Sequence, residues 1–290
     1  MSAALRTLLG AVLLAAGGGA NAQGGGVCGF DLATLTYAGT PRAQAACLLR
    51  PVAKWGKVAS RPARLPAALA ALVGEPMVGM AALERHLAAR GIDEADVGGA
   101  LAGTLSRAND GDAEAPAARY FVIHDTSWPA LGNAARFPGN GSAALNKLDK
   151  YAGSDAVAHV FVNRKGETLT GHDFGVPWRA TKFENDLLGP PGKGLYLHIE
   201  LVQPRRRERS RKGPNDALAP SPGFTAAQYD KLALLYAAAS ARAGTWLVPA
   251  FHAVVDEGIP GAHDDPQNFE LKKFDKALGV LNKALRKPPP

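Results

Sequence analysis

The run GLYLHIELV at 194–202 alternates without a break. Leu195, Leu197, Ile199 and Leu201 fall on one side of an extended chain, and Tyr196, His198 and Glu200 on the other, because successive strand side chains point to opposite faces. The hydrocarbon side belongs against helices. The polar side, an imidazole and a carboxylate on an otherwise apolar strand, is either the floor of a site or a solvent-facing edge. RYFVIH at 119–124 contains a second strand, 120–123, apolar on both faces and so interior, and the run ends on His124. Segments 158–163 and 167–170 flank Arg164-Lys165-Gly166, a hairpin signal. The clearest helix spans 224–243, opened by a Thr225/Gln228 capping box and stopped by Gly244. A last helix, about 270–286, carries Leu271, Phe274, Leu278, Leu281 and Leu285 along one stripe. Together these elements give an α/β (α+β mixed) fold class, a central mostly mixed β-sheet flanked by helices. Between its first strand and the hairpin lie a Gly/Pro/Asn-rich loop, 128–141, and a short helix capped by Ser142 and bearing Leu145, Leu148 and Tyr151.

Upstream, the character changes. Residues 1–22 read as a cleaved signal peptide: Arg6, an apolar stretch at 8–16, and an A-x-A site at Ala20-Asn21-Ala22. That implies a periplasmic or secreted protein without a transmembrane anchor, since the apolar run is too short to span a bilayer. Residues 23–108 form a helical N-terminal region, with helices at 65–73, 81–90 and from Asp93 to about 107. Cys28 and Cys47 are the only cysteines in the chain. In an oxidising compartment they are expected to pair. The polar stretch NDGDAEAP begins a linker at 109–117, and a second domain follows at 118–287.

The net charge of +7 favours cell-wall or membrane-surface polyanions over nucleic acid as partners. The basic run 205–212 is expected to be an exposed, mobile insertion. No nucleotide-binding loop or Gly-x-Ser-x-Gly elbow is present.

Chemistry gathers at 249–269, PAFHAVVDEGIPGAHDDPQNF. His252 follows an apolar run, and the paired carboxylates Asp264 and Asp265 lie beyond a Gly/Pro turn. One loop can thus bring an imidazole and a carboxylate together, with His124 supplying a third ligand. Two neutral imidazoles and one carboxylate suit a catalytic Zn2+ with an open position. Glu200, near the end of its strand, is a candidate proton shuttle, and His263 a candidate donor to a developing oxyanion. Residue types alone leave Asp264 and Asp265 in competition.

The order of these pieces resembles the zinc-dependent N-acetylmuramoyl-L-alanine amidases of the type-2 amidase and peptidoglycan-recognition-protein superfamily. The matching segments are FVIHDT at 121–126, AHVFVNRKGETL at 158–169, VPWRAT at 176–181 and HIEL at 198–201. FTAAQYDKLALL at 224–235, FH at 251–252 and DPQNF at 265–269 complete them. The resemblance covers a little over half the chain and leaves out 28–108. It implies a surface zinc groove with His124, His252 and Asp265 as ligands, Asp265 being favoured over Asp264 because it opens the DPQNF segment at 265–269. It also implies Glu200 as the carboxylate assisting the attacking water, Trp178 and Arg179 as substrate-pocket residues, and His159 as a residue in the substrate pocket or just behind it. His263 stands where the family often carries Lys, and Arg179 replaces the His of a Trp-His-Ala triplet. His172 and His198 read as structural. The expected function is an exported amidase acting as a monomer on peptidoglycan or muropeptides. The alternatives are a non-catalytic peptidoglycan-binding module and a zinc peptidase acting within the stem peptide.

Overall fold

The structure is a computed structural model that describes residues 26–77, 79–208, 215 and 217–287. The expected leader at 1–22 and residues 209–212 of the basic run lie outside them. A disulfide joins Cys28 to Cys47, as expected. Three short helices follow: α1 (Pro41–Leu48), α2 (Ala67–Leu72) and α3 (Met80–Ala88). Thr40 caps α1 by accepting from the Ala43 N–H, with Pro41 in the first turn where no donor is needed. The helix expected at 93–107 is only a 3-10 turn, Glu94–Val97. Asp93 caps it as foreseen, but Gly98 and Gly99 both adopt left-handed φ and end it at once.

The central sheet comprises β1 (Tyr120–Asp125), β2 (Val160–Val162), β3 (Thr168–Thr170), β4 (Tyr196–Leu201) and β5 (Val248–Phe251), in spatial order β3–β2–β4–β1–β5. The β2–β3 hairpin is antiparallel and the other pairings are parallel, so the sheet is mixed. Helix α4 (Ala226–Ala243) has both halves of its capping box and ends at a left-handed Gly244; α5 (Leu271–Leu285) follows the last loop. Phe121 meets Tyr236 of α4 on one face of the sheet. On the other face Tyr120 stacks on Tyr196, and the edge of Tyr37 packs against Tyr120. The sheet is therefore covered on both sides, which explains why every β1 residue is buried. The expected Ser142 helix is a pair of 3-10 turns, Ala143–Leu145 and Asp149–Tyr151, without a Ser142 cap bond. No helix among the described residues is long and apolar enough to cross a membrane.

The N-terminal region contributes to the same core as the sheet. Phe30, Leu48, Leu69 and Leu83 belong to one continuous hydrophobic cluster with Tyr120, Leu232 and Phe274. The stretch at 109–117 folds back as a local loop, Ala108 N–H donating to Pro116 O, and separates no two cores. The N-terminal region also reaches the loop after β5. Arg50, fully buried, pairs with Glu257, and the Val52 carbonyl accepts from the Asn268 N–H. Gly56 is pressed against Asp264.

The basic run corrects one expectation. Arg205 is not a solvated loop residue. It is 3% exposed and lies 2.7 Å from Asp125 and 3.4 Å from Asp264. A buried guanidinium needs such partners, and these two carboxylates lie directly beside the chain leaving β4. Arg206–Arg207 continue as a two-residue strand against Ala217–Leu218.

Candidate metal centre

The parallel register brings the chemistry to one end of the sheet. His124 lies opposite Glu200 across β1 and β4, and β5 ends at Phe251, one residue before His252. Carboxyl ends of adjacent parallel strands are where open α/β sheets bind ligands. The loop after β5 then returns Asp265 to the same place, its Oδ2 accepting from the Asp125 N–H at 3.0 Å.

His124, His252 and Asp265 are all buried, and their ligand atoms lie within 4.8 Å of one another, so the group can hold a metal ion. The two Nδ1 atoms face each other at 2.8 Å. Asp265 Oδ1 is 3.0 Å from His252 Nδ1, and Asp265 Oδ2 is 3.9 Å from His124 Nδ1. These spacings bracket the roughly 3.3 Å between ligand atoms that tetrahedral zinc with bonds of about 2.0 Å requires. Asp264 turns away toward Arg205 and Gln267 Nε2, which resolves the competition between the two aspartates in favour of Asp265.

Charge follows burial and neighbours. Burial, with the adjacent His252 and His198, holds His124 well below the usual histidine range, so it keeps a free lone pair. Burial pulls His252 the same way, but Asp265 and Asp256 outweigh it and hold its pKa well above the ordinary value. Asp265 is depressed because His252 overrides its burial. Glu200 Oε1 is 3.9 Å from His124 Nδ1, and its Oε2 is buried without a hydrogen-bond partner among the described residues. Burial, then Asp265 and Asp125, raise the Glu200 carboxyl well above the carboxylate range. A carboxyl so placed can carry a proton. Burial pushes Asp125 up to about 7 against the pull of Arg205.

The site opens into a groove of about 580 Å³, lined among others by Trp178, Arg179, Lys182, Glu200 and His263. Trp178 is stacked on His172, and its Nε1–H donates to the Val157 carbonyl, so its ring is fixed at the wall. His263 is at the rim, its side chain 52% exposed and its Nδ1 3.1 Å from Asp256 Oδ2. Of the two places expected for His159, in the pocket or just behind it, the structure shows the second. His159 is fully buried, and its ring stacks behind His198. Its Nδ1 accepts from the His198 N–H and its Nε2 faces the Val176 carbonyl. A cavity of similar size, about 570 Å³, lies at the opposite strand ends near Tyr120 and Val248; no imidazole or carboxylate lines it.

Three residues at the centre escaped the sequence reading. His198, read as structural, contacts His124 Nε2 through its Nδ1 at 3.1 Å. Glu184 lies against His198, and Asp256 against His252 Nε2 at 2.9 Å. The i, i+4 spacing of His252 and Asp256 was a usable signal for the latter.

No protein-family model, no curated protein and no solved structure matches this chain.

Proposed function

We propose that this chain is an exported zinc hydrolase that cleaves the amide between the lactyl group of N-acetylmuramic acid and L-alanine of peptidoglycan stem peptides. The observation that carries it is the convergence of His124, His252 and Asp265, with Glu200 3.9 Å from His124, in an open groove. Two imidazole nitrogens and one carboxylate oxygen form the donor set of catalytic zinc. When bound, zinc supplies Lewis acidity to a carbonyl and acidifies water in the groove.

The rest belongs to the side chains. Hydrolysis breaks the amide C–N bond; the water oxygen ends on the lactyl carboxylate, and the alanine amine gains a proton. Glu200 takes the proton from the attacking water and delivers it to that amine. His263 at the rim donates toward the oxyanion. Trp178 offers an apolar wall, and Arg179 with Lys182 suits the carboxylates of a stem peptide. The Cys28–Cys47 disulfide supports an oxidising, extracytoplasmic compartment.

The test has two parts. The purified protein is expected to hold about one zinc per chain, lost in His124→Ala and His252→Ala. Mass spectrometry of digested muropeptides is expected to show free stem peptides beginning with L-alanine. Shortened stems still attached to muramic acid would make the chain a peptidase instead. Binding without any cleavage would make it a recognition module.

A further inference from the structure

A buried line of hydrogen-bonding groups, His124, His198 and Glu184, runs from the metal centre into the core; none of these three lines the groove, though Thr181 and Ala180 beyond them do. His124 turns Nδ1 toward His252 and Asp265, leaving Nε2 on the far side of its ring, 3.1 Å from His198 Nδ1. His198 Nε2 is in turn 3.2 Å from Glu184 Oε2. His198 and Glu184 are both fully buried. The contact falls outside hydrogen-bond geometry, so His198 Nε2 is a buried nitrogen without a hydrogen-bond partner among the described residues, with Glu184 Oε2 the carboxylate oxygen beside it.

The line has a direction. Glu184 Oε2 accepts from Thr181 Oγ1 at 2.8 Å and from the Thr181 and Ala180 N–H groups at 3.1 and 3.3 Å. Those donors fix the carboxylate in place and leave it an acceptor for His198. A proton on His198 Nε2 makes its Nδ1 an acceptor, which obliges His124 to donate from Nε2. His124 Nδ1 then carries a lone pair pointed at His252 and Asp265. His159 holds the intervening ring from behind, accepting from the His198 backbone N–H and stacking 5.6 Å from its ring. A carboxylate with no exposure is costly in a core unless its partners need it there.

We propose that Glu184 and His198 are positioning residues for the metal centre: a two-step relay that sets the tautomer and ring orientation of His124, so that its Nδ1 is a metal ligand before any metal arrives. His252 has the shorter equivalent, Asp256 directly at its Nε2. Outer partners of this kind fix ligand tautomers in metal sites. The proposal rests on the metal reading above, and the experiment separates the two.

Zinc affinity is measured by chelator competition on the full mature chain, with metal-free thermal unfolding as the control for folding. Glu184→Gln and His198→Leu are expected to weaken zinc binding about 10- to 100-fold. His198→Asn, whose amide oxygen occupies the place of Nδ1, is expected to recover part of that loss. A purely structural pair would lower the metal-free unfolding temperature without this ordering of affinities. For variants that do not fold, the parent decides. Two-bond ¹⁵N–¹H spectra of its zinc-loaded form are expected to show both His124 and His198 as Nε2–H tautomers. Either ring protonated at Nδ1, or unchanged affinity in folded Glu184→Gln and His198→Leu, overturns the relay and leaves the metal centre standing. A parent that binds no zinc overturns both.

Discussion

Glu200 has the placement expected of a proton carrier: one oxygen 3.9 Å from His124, the other buried and unpartnered among the described residues, and a carboxyl raised by burial and by Asp265. Glu200→Gln is therefore expected to keep the fold and the zinc while losing about 10²- to 10⁴-fold in turnover. Near-parental hydrolysis of purified peptidoglycan by that variant would falsify the role and shift attention to His263. The same variant isolates the pH dependence of metal binding. Zinc needs both imidazoles neutral. His124 is already held below the usual range, whereas His252 is held above it, so the proton to be displaced is that of His252. Affinity should then rise with pH from about 6.5 through neutrality with a slope near one proton per zinc, and level off above the His252 pKa. A slope near two between pH 6 and 8 would mean that His124 is protonated as well. The ligands were legible because each marks the end of an apolar run or a turn. Glu184 was not, because the contact with His198, on the strand that follows, exists only once the sheet has formed.

At the scale of elements, periodicity carried most of the fold. Strict alternation at 195–201 became β4, and its polar side is not a solvent edge: Glu200 lines the groove, while Tyr196 and His198 are fully buried. The Thr225 box and Gly244 stop held to within two residues. What failed were segments where local glycine chemistry overrode apolar spacing, as at Gly98 and Gly99, or where a charged residue met buried partners, as at Arg205. Another close approach has a consequence for function. Gly56 has φ +70°, and a Cβ there would lie 2.4 Å from Asp264 Cβ, with backbone beside it. Neither side can yield by rotating a side chain. Gly56→Ala should strain its own turn and push Asp264, carrying Asp265 with it. The expected result is lower thermal stability together with weaker zinc binding. Lower stability with unchanged zinc affinity would show that the loop after β5 absorbs the displacement before it reaches Asp265.

At the scale of the molecule, the question is why an N-terminal region without catalytic groups is tied so closely to the site. Its apolar residues belong to the cluster that includes β1, α4 and α5, and Tyr37 closes the sheet face opposite those helices. Arg50 and Gly56 both meet the loop that carries Asp265. The compositional break at 109–117 marks a change from short helices and turns to sheet, and composition cannot report whether cores on its two sides are shared. A chain beginning at Asn109 would expose the face of Tyr120 and Tyr196 and leave Glu257 without Arg50. Each large side chain uncovered costs about 1.5–3 kcal/mol, several times over, against a typical total stability of about 5–15 kcal/mol. That chain should fail to give a cooperative unfolding transition and should bind zinc poorly. In the full chain, Cys28→Ser with Cys47→Ser should cost about 3 kcal/mol by releasing the loop they close. It should leave zinc affinity intact wherever the protein is still folded, because Arg50 and Gly56 hold the site loop by packing and charge. A chain from Asn109 that unfolds cooperatively and binds zinc like the parent would instead make residues 26–108 a separable module.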